Sequence, residues 1–201
     1  MGKILVHEFI TADGVIDDPG WSAGYPFTDA MNDAVAGITA RCRSIVLGRV
    51  TYRFFEGPWG ERTDADDPHA SFFNDTPKYV VTTTLDTPTW RNSSILGPYD
   101  PDAIRRFKDA AEGDIFISAS GTLVRALLAD GLVDELNLFV YPLTLGRGTR
   151  LFPADAPPLT LRLEAHRAFE NGVLHLTYRP LARPASPQDP ENGSPGIREQ
   201  S

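Results

Sequence analysis

The sequence predicts an α/β domain of three layers, α/β/α, with a central mixed, mostly parallel sheet and an antiparallel C-terminal hairpin. Three observations carry this. Short apolar runs alternate with helix-spaced stretches through residue 140, the order that builds parallel strands with crossover helices. Two alternating runs then flank Asn171-Gly172, a strong short hairpin signal. The 201-residue length suits one domain rather than two.

The elements follow in order. Ile4, Val6 and Glu8 alternate with Leu5, His7 and Phe9, giving a first strand that stops at the turn residues Ala12-Asp13-Gly14. Phe27, Met31, Ala34, Val35, Ile38 and Cys42 fall on one helical face. "SIVLG" reads as a buried strand, "RVTYRFF" starts a helix, and "GPWGERTDADDPHA", residues 57–70, reads as a long polar loop carrying Trp59. "KYVVTTT" is the next strand. Asp100 caps a helix with Pro101 at its first position, Ile104, Phe107 and Ala111 on its buried face, and Gly113 as its stop. "DIFIS" and "DELNLFVYP" are strands on either side of the helix "GTLVRALLADG". From Arg179 the text becomes rich in Pro, Ser, Gly and charge, so the domain is expected over 1–181 and a disordered tail over 182–201.

Charge and cysteine usage narrow the function classes. A net charge of −8 repels phosphate backbones, and no basic patch with interleaved aromatics offsets it, which argues against nucleic acid. No run is long enough to span a bilayer, and "MGKILVHEFI" lacks the pattern of a signal peptide. The single cysteine, Cys42, suits a thiol-reducing cytoplasm. His7, His69, His166 and His175 show no metal-ligand spacing, so no metal is expected.

Three strand ends carry candidate ligand groups. In "ISASGTLVRALL" a short strand feeds a helix through Ala119, Ser120, Gly121 and Thr122, which aims backbone N–H groups and the helix dipole at one spot. An ordinary β–α connection reads the same way, and no Gly-x-Gly-x-x-Gly or phosphate-loop motif decides between them. "LGRVTY" repeats the design, with Gly48 allowing close approach, Arg49 a guanidinium fork and Thr51 a hydroxyl. Thr82 to Thr84 end a third strand, either as ribose-phosphate partners or as β-branched residues where propensity puts them.

Together "ITADGVID", "LGRVTY", "YVVTTT" and "ISASGTLVRALLADGLVDELNLFVYPLTLGRGTRLF" resemble the dihydrofolate reductase-like superfamily, in particular its bacterial branch akin to the reductase domain of the riboflavin-pathway deaminase/reductase. The resemblance runs from about Lys3 to Arg179. It implies NADPH bound along the strand ends and hydride transfer to a small heterocyclic or carbonyl substrate. It assigns Gly48, Arg49 and Thr51 to the phosphates, Thr83 and Thr84 to the region of the 2′-phosphate, Ala119, Ser120, Gly121, Thr122 and Leu123 to the pyrophosphate, and Ile16 to the carboxamide. A homodimer is implied too.

This chain departs from the family at Ala119-Ser120, where members carry Gly-Gly or Gly-Ser and dihydrofolate reductases keep a cis peptide. Asp29 stands near the place of the acid on the first helix of dihydrofolate reductases, with Asp33 one turn on. Asp13 is a second candidate acid, though Asp-Gly is first a turn. Trp21, Tyr25 and Trp59 are candidates to line the substrate side, or to serve as loop packing. Two other readings stay open: a cofactor-poor dimer of the same fold that binds small molecules, motivated by Ala119, and a reductase of a phosphorylated ribosylamino-pyrimidine, with Arg147 and Arg150 offsetting its charge.

Overall fold

The alternating N-terminal run becomes β1 (Ile4–Thr11) at the middle of the sheet, with seven of its eight residues buried. The computed structural model describes residues 1–181; the segment 182–201, expected to be disordered, lies outside the described residues. With β2 (Cys42–Gly48), β3 (Lys78–Val81), β4 (Ser93–Gly97), β5 (Asp114–Ser118), β6 (Glu135–Tyr141), β7 (Leu161–Ala168) and β8 (Leu174–Pro180), the eight strands follow the order β4-β3-β2-β5-β1-β6-β8-β7. Those from β4 to β6 pair in parallel, and β8 runs antiparallel to both β6 and β7.

Helices cover the two faces unequally. Met31, Val35 and Ile38 of α1 (Asp29–Thr39), Tyr52 of α2 (Arg49–Gly60) and Phe73 of α3 (Ala70–Asp75) form one core with Leu5, Ile45, Leu47 and Phe116. Ile104 of α4 (Pro101–Ala110) and Leu123, Val124, Leu127 and Leu128 of α5 (Gly121–Ala129) form the other with Ile4, Val6, Ile115 and Ile117. The strand periodicity of two sends alternate residues of β1 and β5 (Asp114–Ser118) into each core. This is the expected three-layer arrangement.

Local sequence explains several ends. Asp100 accepts from the amides of Asp102 (2.9 Å) and Ala103 (3.3 Å), with Pro101 in the first turn of α4. The hairpin joining β7 (Leu161–Ala168) to β8 (Leu174–Pro180) turns through Gly172 at φ +86°, a conformation glycine adopts without strain. Thr82 Oγ1 accepts from the amides of Thr84 (3.1 Å) and Leu85 (3.2 Å) and so stops β3 (Lys78–Val81) before the threonine run.

The structure corrects four boundaries. Phe27 precedes α1, and Cys42 belongs to β2 (Cys42–Gly48), so the apolar face is shorter at both ends than its periodicity suggests. Helix α2 continues through Gly57, Pro58 and Trp59; the missing amide of Pro58 affects only the last turn, and the glycines hide the helix from a composition reading. The polar loop is therefore 61–69. An edge strand, β4 (Ser93–Gly97), pairs with β3 although its half-exposed residues carry no alternation. No helix among the described residues is long and apolar enough to cross a membrane.

Register creates the site. β1 pairs with β5 only as far as His7 with Ser118, but it continues beside β6 (Glu135–Tyr141) to Thr11 with Tyr141. Beyond His7 the β5 side of β1 is open, and the sheet splits at its carboxyl edge, where open α/β sheets place ligands.

Candidate functional site

The split opens into a cleft of about 1390 Å³, bordered by the carboxyl ends of β1, β2, β3 and β5 and by the first turns of α2 and α5. The two helix starts are stitched together. Ser120 N donates to Thr51 Oγ1 at 2.9 Å, and Gly48 N donates to Ser120 Oγ at 3.1 Å. Ala119 (φ 48°) and Ser120 (φ 58°) are both left-handed, and every peptide bond among the described residues is trans. The turn therefore takes a tight path with two positive φ angles. Two non-glycine residues in that region cost about 1–2 kcal/mol each.

The first intrahelical bond of α5 runs from Val124 N to Ser120 O, so the N–H groups of Gly121, Thr122 and Leu123 have no partner among the described residues. All three residues line the cleft. Arg49, exposed at the start of α2, lines the same cleft and makes no ion pair among the described residues. Three convergent amides and a guanidinium form a site for an anion. A Cβ on Gly121 would lie 2.4 Å from Ile16 Cδ1, so the segment after β1 closes directly onto this turn.

Ile16, Gly48, Arg49, Thr51, Thr83, Ala119, Ser120, Gly121, Thr122 and Leu123 all line the cleft, as does Trp59. Thr84 does not; it lies outside the lining, with its amide folded back onto Thr82. The Ile16 amide donates to Thr149 O at 2.9 Å, which leaves the carbonyl as the backbone group Ile16 can offer. Thr51 is buried, and its oxygen already accepts from Ser120.

The two acids and two of the aromatics fall elsewhere. Asp13 accepts from the Thr11 hydroxyl (2.6 Å), Leu145 N (3.2 Å) and Gly146 N (2.8 Å). The Thr11 hydroxyl, then the Gly146 amide, hold its pKa down to about 2, so it is an ionised clamp outside the cleft lining and carries no proton to donate. Asp29 is the exposed first residue of α1, where its charge serves the helix dipole. Asp33 also faces water; Asn32, between them, is the residue of that turn that lines the cleft. Trp21 and Tyr25 pack edge-on against Tyr141, with ring centroids 5.2 and 5.5 Å away, and lie outside the cleft lining. Arg150 donates to Asp13 O (2.5 Å) and Arg147 is exposed; neither lines the cleft.

Sequence reasoning missed three buried groups in the cleft wall: His7, Glu8 and His69. His7 Nδ1 lies 3.2 Å from Ser118 Oγ, while His7 Nε2, Glu8 Oε1 and His69 Nε2 are buried with no partner. Burial, reinforced by His175 and His69, lowers the His7 pKa to about 3. Burial likewise lowers that of His69, against the opposing charge of Asp67. Glu8 is 2% exposed, and burial raises its pKa well above the carboxylate range against the pull of Arg125. The signal was two adjacent polar residues inside a strand otherwise read as apolar. Among the described residues no three His, Cys, Asp or Glu side chains converge as metal ligands.

Comparison with known proteins agrees with this architecture. A Bacillus subtilis (strain 168) protein, the uncharacterized YyaP, is 25% identical over 189 residues, covering 88% of this chain and 94% of its own length. The crystal structure of a putative riboflavin biosynthesis protein from Shewanella sp. PV-4 superposes with a TM-score of 0.73 at 20% identity, covering 90% of this chain and all of that one. Dihydrofolate reductase from Enterococcus faecalis, solved with NADP(H) and RAB-propyl, gives a TM-score of 0.56 at 19% identity over 89% of this chain and 96% of its own. These two structural likenesses establish the dihydrofolate reductase-like fold. The RibD C-terminal domain matches residues 2–175, and the chain belongs to that family.

Proposed function

We propose that this protein is an NADPH-dependent reductase of a small heterocyclic or carbonyl substrate. The observation that carries this reading is the pairing of two helix starts on one cleft, with the free amides of Gly121 to Leu123 and the Arg49 guanidinium both facing it. Two anion-binding groups at neighbouring strand ends suit a dinucleotide, and Thr83, exposed at the end of β3, adds a hydroxyl at the rim. At about 1390 Å³ the cleft exceeds the volume usual for one small-molecule site. When bound, NADPH supplies a hydride from C4 of its nicotinamide. The starts of α2 and α5 would hold the phosphates, and Phe9, Phe116 and Trp59, which line the cleft, would exclude water from the reacting ring.

Thermal unfolding with NADPH and with NADH at matched concentrations tests it. A larger rise with NADPH is expected, and Arg49→Ala should reduce the rise without unfolding the exposed start of α2. Equal shifts with both nucleotides would remove the 2′-phosphate from the reading. No shift with either would favour the second reading, a binding protein of the same fold, which Ala119 supports because it lines the cleft at the turn where a pyrophosphate would have to approach.

We also propose a cytoplasmic homodimer. Leu163 (48% exposed) and Leu174 (41%) stand on one face of the β7–β8 hairpin, and Tyr178 pairs with Leu163 on that face. An exposed apolar sheet face of this kind suits a second copy of the chain. Light scattering that gives a monomer mass at micromolar concentration would dismiss the dimer. Cys42, buried as a free thiol, supports the compartment, which cell fractionation checks.

A further inference from the structure

We propose that the substrate end of the cleft takes a flat heterocycle without a phosphate, held by the bare Nε2 atoms of His7 and His69. The proposal rests on the reductase reading of the same cleft and names its substrate class. Both histidines are 8% exposed and line the cleft. His7 sits on β1 with its ring stacked on Phe116 at 5.8 Å and its Nδ1 beside Ser118 Oγ. His69 precedes α3, its amide donating to Asp67 Oδ1 at 2.9 Å. The His7 ring is held by Phe116 and Ser118, and each of the two rings carries one buried nitrogen without a partner. Such atoms lose their water on folding and gain nothing in return until a ligand supplies the bond.

Burial disfavours the imidazolium at both rings, and at His7 the neighbouring His175 and His69 disfavour it further. A neutral imidazole offers one N–H and one lone pair. The matching ligand edge carries both N–H and C=O groups, as pyrimidinediones and related ureide rings do, and the Asn32 amide at the same wall can pair with either. Phe27 and Trp59 supply flat apolar surface for such a ring.

Charge excludes a phosphate at this end. Among the described residues that line the cleft, Arg49 is the only lysine or arginine, and it belongs to the anion site at the α2 and α5 starts. Asp17, Asp18 and Asp67 line the same cleft. Arg62 lies over the Trp59 ring at 4.7 Å and faces Asp67 at 3.8 Å, outside the lining. A substrate phosphate would meet carboxylates without an unpaired cation to offset them.

The test is calorimetric titration of NADP⁺-saturated protein with 5-amino-6-ribosylaminouracil and with its 5′-phosphate. The nucleoside is expected to bind at least about tenfold tighter than the phosphate. His69→Phe keeps a ring and removes Nε2; it should weaken the nucleoside about tenfold and leave NADP⁺ affinity unchanged. His7→Gln, which keeps a hydrogen-bonding group, should retain part of the affinity. The proposal is overturned if the phosphate form binds as tightly as the nucleoside, if neither binds, or if His69→Phe changes nothing. If NADP⁺ itself does not bind, the reductase reading fails separately, and the same pair titrated on nucleotide-free protein decides this one by the same criteria.

Discussion

Ser120 and Thr51, 69 residues apart in sequence, join the two helix starts of the cleft through a 2.9 Å hydrogen bond from the Ser120 amide to the Thr51 hydroxyl. The reciprocal bond from Gly48 N to Ser120 Oγ makes the two anion-binding turns one rigid unit. A twice-charged ligand that needs both turns finds them already spaced, so little ordering remains for binding to supply.

Removing either bond should therefore weaken the fold and the nucleotide site together. Thr51→Val and Ser120→Ala are each expected to cost about 1–2 kcal/mol, since each leaves an amide without its acceptor. The double variant should show a coupling energy of about 0.5 kcal/mol or more in urea denaturation. Strict additivity would show that the two turns are independent.

Ala119→Gly should stabilise the protein by about 0.5–1 kcal/mol. The left-handed φ of 48° strains alanine and not glycine, and the greater entropy of glycine in the unfolded chain offsets part of the gain. The variant should also bind NADPH more tightly, because a methyl leaves the wall on which the pyrophosphate would lie. A lower denaturation midpoint would mean that packing of that methyl outweighs the strain.

Stability should depend on His7 between pH 6.5 and pH 3. Its folded pKa of about 3 lies below the ordinary 6.5, so the folded state favours the neutral ring. The contribution is complete above pH 6.5 and is lost progressively as the pH falls toward 3. His7→Gln should flatten the acid limb of the stability curve. Glu8 has the opposite sign. Its raised pKa gives a contribution that is complete below the ordinary 4.5 and declines as the pH climbs through the folded value, so Glu8→Gln should gain stability relative to the parent at neutral pH. Denaturant midpoints across this range check both.

Asp13→Asn should loosen a loop and leave chemistry alone. The Asp13 carboxylate receives the amides of Leu145 and Gly146, and the Val15–Arg150 bridge and the Ile16–Thr149 bond continue the same contact. Faster hydrogen exchange at Leu145 and Gly146 is expected, with no change in the pH profile of NADPH oxidation. Since its folded pKa of about 2 is below the ordinary 3.8, the clamp holds above pH 3.8 and fails as the pH drops through 2. A lost basic or acidic limb in the pH profile of the variant would restore Asp13 as a proton donor.

The strand ends were legible because their signals are local. A short apolar run, small residues and a helix-spaced stretch specify a β–α turn whatever lies around it, and the Gly48-Arg49 and Ala119 to Thr122 turns are legible in this way, while Leu123 came from the family resemblance. Candidates chosen by residue type fared differently. Asp29, Trp21 and Tyr25 have the right chemistry, but a helix face and a ring contact with Tyr141 direct them away from the cleft. Helix α2 was cut short at Gly57 because propensity weighs Gly and Pro against a helix, while packing of Trp59 on Phe73, with ring centroids 4.2 Å apart, holds its last turn in place.

By itself, then, the sequence determined the alternation of elements, the hairpin at Asn171-Gly172 and the two strand-end turns, all of which depend on residues within a few positions of one another. Which polar groups share the cleft depends instead on long-range packing. His7 and Glu8 become buried because β1 lies between β5 and β6, and His69 joins them because α3 packs Phe73 against Phe116. Burial, charge state and the absence of a bonding partner are properties of the space around a side chain, and pairing of distant strands creates that space.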